Sequence, residues 1–174
     1  MCRTRHPCAP IGQVLSQTEN LYALTLTALG GHDVEAVRSL APQAVAGKAA
    51  AQTGIVGTVK ASLAWLAWQD ERPQDVTVLA NEAAGLLGAA VEPDVIHLKW
   101  VCLWPLMAVH LGAGQVAQAV EAGRQLLAPA QQRLPEVLES LVQAAAAAWD
   151  EGEPELAEEK LGMAVDLAQR LRYA

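Results

Sequence analysis

The sequence has no phenylalanine, only three cysteines in 174 residues, and charged residues at 18% against a usual ~25%. Three cysteines in a chain this long exclude a disulfide-built miniprotein. Low charge beside 52% hydrophobic residues excludes a disordered chain. Also missing is an apolar run fit to cross a membrane. The longest, Val101 to Gly112, covers about 12 residues and contains Pro105 and His110, whereas a span needs ~20. No alternating strand pattern of useful length occurs. The opening MCRTRHPCAP has basic residues but no following hydrophobic stretch of the kind a secretory signal requires, so the expected compartment is the cytoplasm, with reduced thiols.

What is abundant is alanine, 34 residues or about a fifth of the chain, and together with leucine it favours helix over sheet. The length suits one domain or one continuous repeat array. With 12 basic and 19 acidic residues the net charge is −7, so the chain as a whole has no electrostatic reason to lie on nucleic acid or anionic lipid. Helical patterns broken by Gly, Pro or Asp predict eight helices, at about 12–29, 33–47, 55–70, 73–89, 94–112, 115–128, 135–149 and 153–172. Asp33 and Asp94 are placed to cap helix starts, and Pro73, Pro135 and Pro154 sit near first-turn positions. Residues 1–11 are expected to be frayed, and 12–174 to form one helical-repeat domain with units of about 12–50, 51–92, 93–133 and 134–174.

Those units rest on an internal repeat. Ala36, Val76, Ala119 and Ala157 each fall early in the second helix of a predicted pair, at spacings of 40, 43 and 38. Five residues earlier stand Gly31, Glu71, Gly114 and Gly152, marking the turn. Twelve earlier come Leu24, Ala64, Met107 and Ala145, and seven later Gln43, Ala83, Leu126 and Ala164. Small residues recurring at fixed offsets are what two helices need where their backbones approach.

A leucine followed by a small residue, a turn glycine and spaced small residues beyond it resemble the tetratricopeptide family. The segments carrying the resemblance are Ala61–Val76, Ala108–Ala119 and Ala146–Ala157. The departures are periods longer than the family's 34, Glu71 at a turn, Gly123 in a slot usually filled by a larger residue, and the inverted order Ala23–Leu24. The resemblance implies an all-α, right-handed α-solenoid of about four antiparallel helical hairpins. Armadillo and HEAT repeats have comparable periods. More narrowly, Leu103-Trp-Pro-Leu-Met-Ala, Leu127-Ala-Pro-Ala-Gln-Gln-Arg-Leu-Pro135 and Leu167-Ala-Gln-Arg-Leu-Arg-Tyr173 are similar to the helical-repeat tails of bacterial LuxR- and MalT-like signalling ATPases and some nucleotide cyclases. That similarity implies a sensor or protein-interaction role without the ATPase, since no phosphate-binding loop is present: Gly47-Lys48-Ala49 lacks both the preceding glycine and the hydroxyl.

All five tryptophans, Trp65, Trp68, Trp100, Trp104 and Trp149, fall in first helices of the pairs, which line the concave surface of a helical solenoid. Offsets eight and eleven before the anchors add Leu111 and Thr25 to Trp68, Trp149 and Trp65, and helical spacing adds Trp104. The candidate partner-binding set is therefore Thr25, Trp65, Trp68, Trp104, Leu111 and Trp149, an apolar surface for a peptide or helix. The competing reading is that Trp fills the core in place of Phe. The face lacks a basic carboxylate clamp, which argues against a C-terminal acid as ligand. The expected function is a non-catalytic protein-interaction module in bacterial signalling or transcription control, with a homodimerising scaffold or a small-molecule sensor as alternatives.

The other chemistry-bearing residues read as structural. Cys2, His6 and Cys8 supply three ligand types where a structural zinc site usually takes four from the chain. Residues 150–159 hold six acids, but Pro154 and Leu156 break a calcium-loop pattern, and acids suit a helix start. Cys102 reads as a buried hydrophobe, and His97 and His110 lie too far apart to share a metal. No nucleophile or metalloprotease motif occurs, so neither enzyme, cofactor nor metal is expected. Pro105 predicts a kink between Trp104 and Met107.

Overall fold

The helix signals resolve into eight helices with no strand among the described residues. The computed structural model describes residues 11–46, 53–89 and 97–173, and side chains within 20–44, 53–89 and 98–173. The helices are α1 (Ile11–Gly30), α2 (Val34–Ala46), α3 (Thr53–Gln69), α4 (Pro73–Ala89), α5 (Trp100–Gly112), α6 (Val116–Leu126), α7 (Glu136–Asp150) and α8 (Pro154–Arg170). A 3₁₀ turn, His97–Lys99, leads into α5. The expectations about residues 1–10, the Cys2, His6 and Cys8 cluster, Asp94 and Gly47–Lys48 lie outside the described residues.

Local chemistry explains the boundaries. The Asp33 side chain accepts the Ala36 amide through Oδ1 at 3.0 Å and so caps α2. Pro73 and Pro154 are the first residues of α4 and α8, where the missing N–H is harmless, while Pro135 sits one position earlier, at the cap of α7. The helix α5 runs from Trp100 to Gly112 through Pro105, and α2 likewise continues through Pro42.

Five helices end in the same turn. After α1, α3, α5, α7 and α8 one residue takes a left-handed backbone: His32 (φ +54°), Glu71 (+56°), Gly114 (+68°), Gly152 (+80°) and Arg172 (+53°). The next amide then bonds to the carbonyl five residues back: Asp33 to Ala28, Arg72 to Ala67, Gln115 to His110, Glu153 to Ala148 and Tyr173 to Ala168, all at 2.8–2.9 Å. This is the Schellman arrangement, which satisfies carbonyls that a helix end leaves open.

Aligning the turns corrects the repeat register. The first left-handed residue is His32 and not Gly31, so the first anchor is Val37, in place of Ala36. Val37, Val76, Ala119 and Ala157 are all fully buried, at spacings of 39, 43 and 38. Twelve residues before them lie Thr25, Ala64, Met107 and Ala145, and seven after lie Ala44, Ala83, Leu126 and Ala164, every one buried. The inverted Ala23–Leu24 pair therefore reflects a one-residue slip: Leu24 is exposed, and Thr25 holds the inward position.

Helices pair as neighbours in sequence, α1 with α2, α3 with α4, α5 with α6 and α7 with α8, and each pair packs on the next through α2–α3, α4–α5 and α6–α7. First helices also meet, α1 with α3 and α3 with α5. The last pair differs, because it is α8 that packs on α5 and α6, while α7 packs on α6. Glycine marks the tightest approaches. A Cβ at Gly57 would stand 2.9 Å from Leu87 Cγ, and one at Gly123 would stand 3.1 Å from Val142 Cγ1. Gly123 is thus what lets α6 lie close to α7, which accounts for its place in a slot otherwise filled by Ala41, Ala80 and Leu161.

Candidate functional site: the tryptophan helices and the turn after α8

The six residues singled out by offset divide into two groups. Trp104 is fully buried, Trp65 is 3% exposed and Thr25 is fully buried. These three are corrected as open partner anchors, because each is covered within the folded chain, Trp104 with the Tyr173 ring lying against it. The Thr25 hydroxyl donates to the Leu21 carbonyl at 2.7 Å, so it has also spent its donor within α1. With no Phe in the chain, Trp65 and Trp104 supply the large aromatic volume of the interior.

Trp68, Leu111 and Trp149 are half-buried, packed against the core on one side and open on the other. Their common position has a local cause. Each is the residue whose carbonyl accepts the amide of the left-handed turn residue: Glu71 to Trp68 at 3.0 Å, Gly114 to Leu111 at 2.9 Å and Gly152 to Trp149 at 3.1 Å. Leu29 is the equivalent residue of the first hairpin and is buried. The turn therefore presents one large apolar side chain per hairpin at the same place, at the end of α3, α5 and α7.

A second cluster was not legible as a site. His32 Nε2 donates to the carbonyl oxygen of Arg172 at 2.7 Å, across 140 positions of sequence, and its ring meets Trp65 edge-on with centroids 5.7 Å apart. The acceptor fixes the proton on Nε2. Beside this contact the Tyr173 ring lies 5.2 Å from Trp100 and 6.5 Å from Trp104, centroid to centroid. Burial raises the Tyr173 phenol above its ordinary pKa, so it stays protonated at neutral pH. Three polar atoms here are buried without a hydrogen-bond partner among the described residues: Trp100 Nε1, Trp104 Nε1 and the Tyr173 hydroxyl. Buried polar groups are ordinarily paired, so a cluster of three is unusual. Only the tryptophans carried a sequence signal. His32 merely follows the turn glycine Gly31 in sequence, and Tyr173 lies in a third, distant segment.

Charged side chains link successive hairpins. Arg38 on α2 grips Asp70 just beyond α3, and Arg124 on α6 reaches Asp150 at the end of α7. Asp70 also meets Arg72, which pairs with Asp75 in the first turn of α4. Lys60 on α3 pairs with Glu82 on α4. The acidic stretch after Asp150 is exposed, from Glu151 through Leu156, and no group of three metal-ligating side chains occurs among the described residues.

No protein-family model, curated protein or solved structure matches the chain. No helix among the described residues is long and apolar enough to cross a membrane.

Proposed function

We propose that the chain is a tetratricopeptide-like right-handed solenoid of four helical hairpins that serves as a protein-interaction module, binding a partner peptide or helix in a bacterial signalling or transcription-regulatory system. The observation that supports this reading is the repeated turn, which sets a half-exposed Trp68, Leu111 and Trp149 at one position of three successive hairpins. Repeat arrays recognise extended partners through side chains repeated in this way. Large amphipathic aromatics give much contact area at low entropic cost and are enriched where binding energy concentrates. The resemblance to the repeat tails of LuxR- and MalT-like regulators points the same way.

Selection of displayed random peptides on the whole chain tests the reading. Peptides are expected to be enriched whose binding falls at least tenfold in a Trp68→Ala, Trp149→Ala double variant that keeps its helical circular dichroism. Peptides indifferent to both changes, or loss of helicity in each single variant, overturn it. A homodimerising scaffold is the second reading. Leu156 and Met163, seven residues apart on one stripe of α8, are 37% and 47% exposed, a surface able to meet a second copy. A molar mass constant at that of the monomer over a dilution series in light scattering removes it.

A further inference from the structure

The residues that follow α8 sit on the rest of the molecule as a bound peptide would. One backbone carbonyl, that of Arg172, is taken by the His32 ring, and one aromatic side chain, Tyr173, lies against two tryptophans of α5. Leu171 and Arg172 themselves are exposed. The fit is incomplete in two respects. Arg172 holds a left-handed backbone that L side chains rarely adopt. The two indole N–H groups and the phenol meet no hydrogen-bond partner among the described residues.

We propose that Leu171–Tyr173 is an internal ligand, and that the surface made by His32, Trp100 and Trp104 accepts in its place the end of a partner protein's helix that carries an aromatic side chain at the same capping position. This rests on the reading of the chain as an interaction module but assigns a surface separate from the row of Trp68, Leu111 and Trp149. The internal segment acts as a competitor at high effective concentration, of the order of millimolar for a short tether. A second copy of the same segment gains nothing over it, so the occupant is a different protein. The better partner supplies what Tyr173 does not: an acceptor oxygen beside its aromatic ring for the indole N–H groups. Each donor satisfied strengthens binding on the order of tenfold.

Two full-length variants release the segment by independent routes. Arg172→Pro cannot take the positive φ and removes the amide that bonds to Gln169, at an exposed position. Tyr173→Ala removes the ring held against Trp100 and Trp104. The probe is a blocked peptide of residues 161–173, LGMAVDLAQRLRY, which contains no tryptophan. Its binding is read by the chain's own tryptophan emission. Either variant is expected to bind it at least tenfold more tightly than the unaltered chain does, and a peptide with Ala in place of its Tyr is expected not to bind. The proposal is overturned if both variants keep their helicity and bind the peptide no better than the unaltered chain, or if the peptide without Tyr binds equally well. Failure here leaves Trp68- and Trp149-dependent capture standing, and loss of that capture leaves this result standing, so the two readings fall separately.

Discussion

Arg38 holds Asp70 with two parallel hydrogen bonds, Nη1 to Oδ2 at 2.9 Å and Nη2 to Oδ1 at 2.8 Å, and so ties α2 to the far end of α3. The two-pronged geometry matches a planar guanidinium to a carboxylate. Arg124 and Asp150 repeat the link between the third and fourth hairpins.

The first prediction follows from that pair. The Arg38 guanidinium, helped by Arg72, holds the Asp70 carboxyl down to about 2 from its ordinary 3.8. A carboxyl whose pKa is depressed in the folded state adds stability that is complete above the unfolded value and disappears as pH falls through the folded one. Asp70→Asn should lower the melting temperature at pH 7 by the equivalent of less than about 1 kcal/mol, since Arg38 is largely exposed. Thermal melts from pH 7 down to pH 2.5 should show the gap to the unaltered chain closing below about pH 4. A gap that stays constant means the charge contributes nothing.

Glu71 occupies a left-handed position that glycine fills in the third and fourth hairpins. Glu71→Gly should therefore stabilise the chain by roughly 1 kcal/mol, and Gly152→Ala, where a Cβ meets no atom within 4 Å, should destabilise it by a similar amount through the backbone alone. Urea unfolding midpoints moving in opposite directions would bear this out. The same sign for both would refute it.

Two helical glycines should also answer alanine in opposite ways. At Gly57 a Cβ lands 2.9 Å from Leu87 Cγ and 3.1 Å from Leu86 Cβ, so α3 and α4 must part and the cost is about 1–3 kcal/mol. At exposed Gly85 nothing lies within 4 Å, and Ala gains about 0.5–1 kcal/mol of helix propensity. Calorimetric melting temperatures of the two variants separate the effects.

Cys102 is sealed in α5, and burial pushes its thiol up to about 12. The reactive thiolate is then scarce at neutral pH. In a Cys2→Ser, Cys8→Ser background the remaining thiol should resist a disulfide reagent at pH 8 until denaturant unfolds the chain. Prompt labelling of the native protein would place Cys102 at the surface.

Much of this architecture could be read from residue order, because its signals are local. Asp33, Pro73, Pro154 and the turn glycines set helix limits that fall within two or three residues of those in the structure, and α4 is predicted end for end. The first hairpin escaped by one position, since His32 takes the left-handed slot directly after a glycine that looks better suited to it. Burial was the harder question. A tryptophan in a first helix looks the same whether it stays half-exposed, as Trp68 does, or fills the interior, as Trp104 does. Nor does any periodicity announce that α8 comes to lie on α5, or that Tyr173 meets Trp100, because those contacts depend on how the last pair of helices turns on the one before.

The hydrogen bond between His32 and Arg172 bears on how the molecule comes apart. An array whose repeats touch only their neighbours frays from its ends, one unit at a time, with a broad melting transition. Here the first turn and the last are in contact, so neither end hairpin can open without loosening the other. A link of that kind couples the two ends and is expected to sharpen the melting transition.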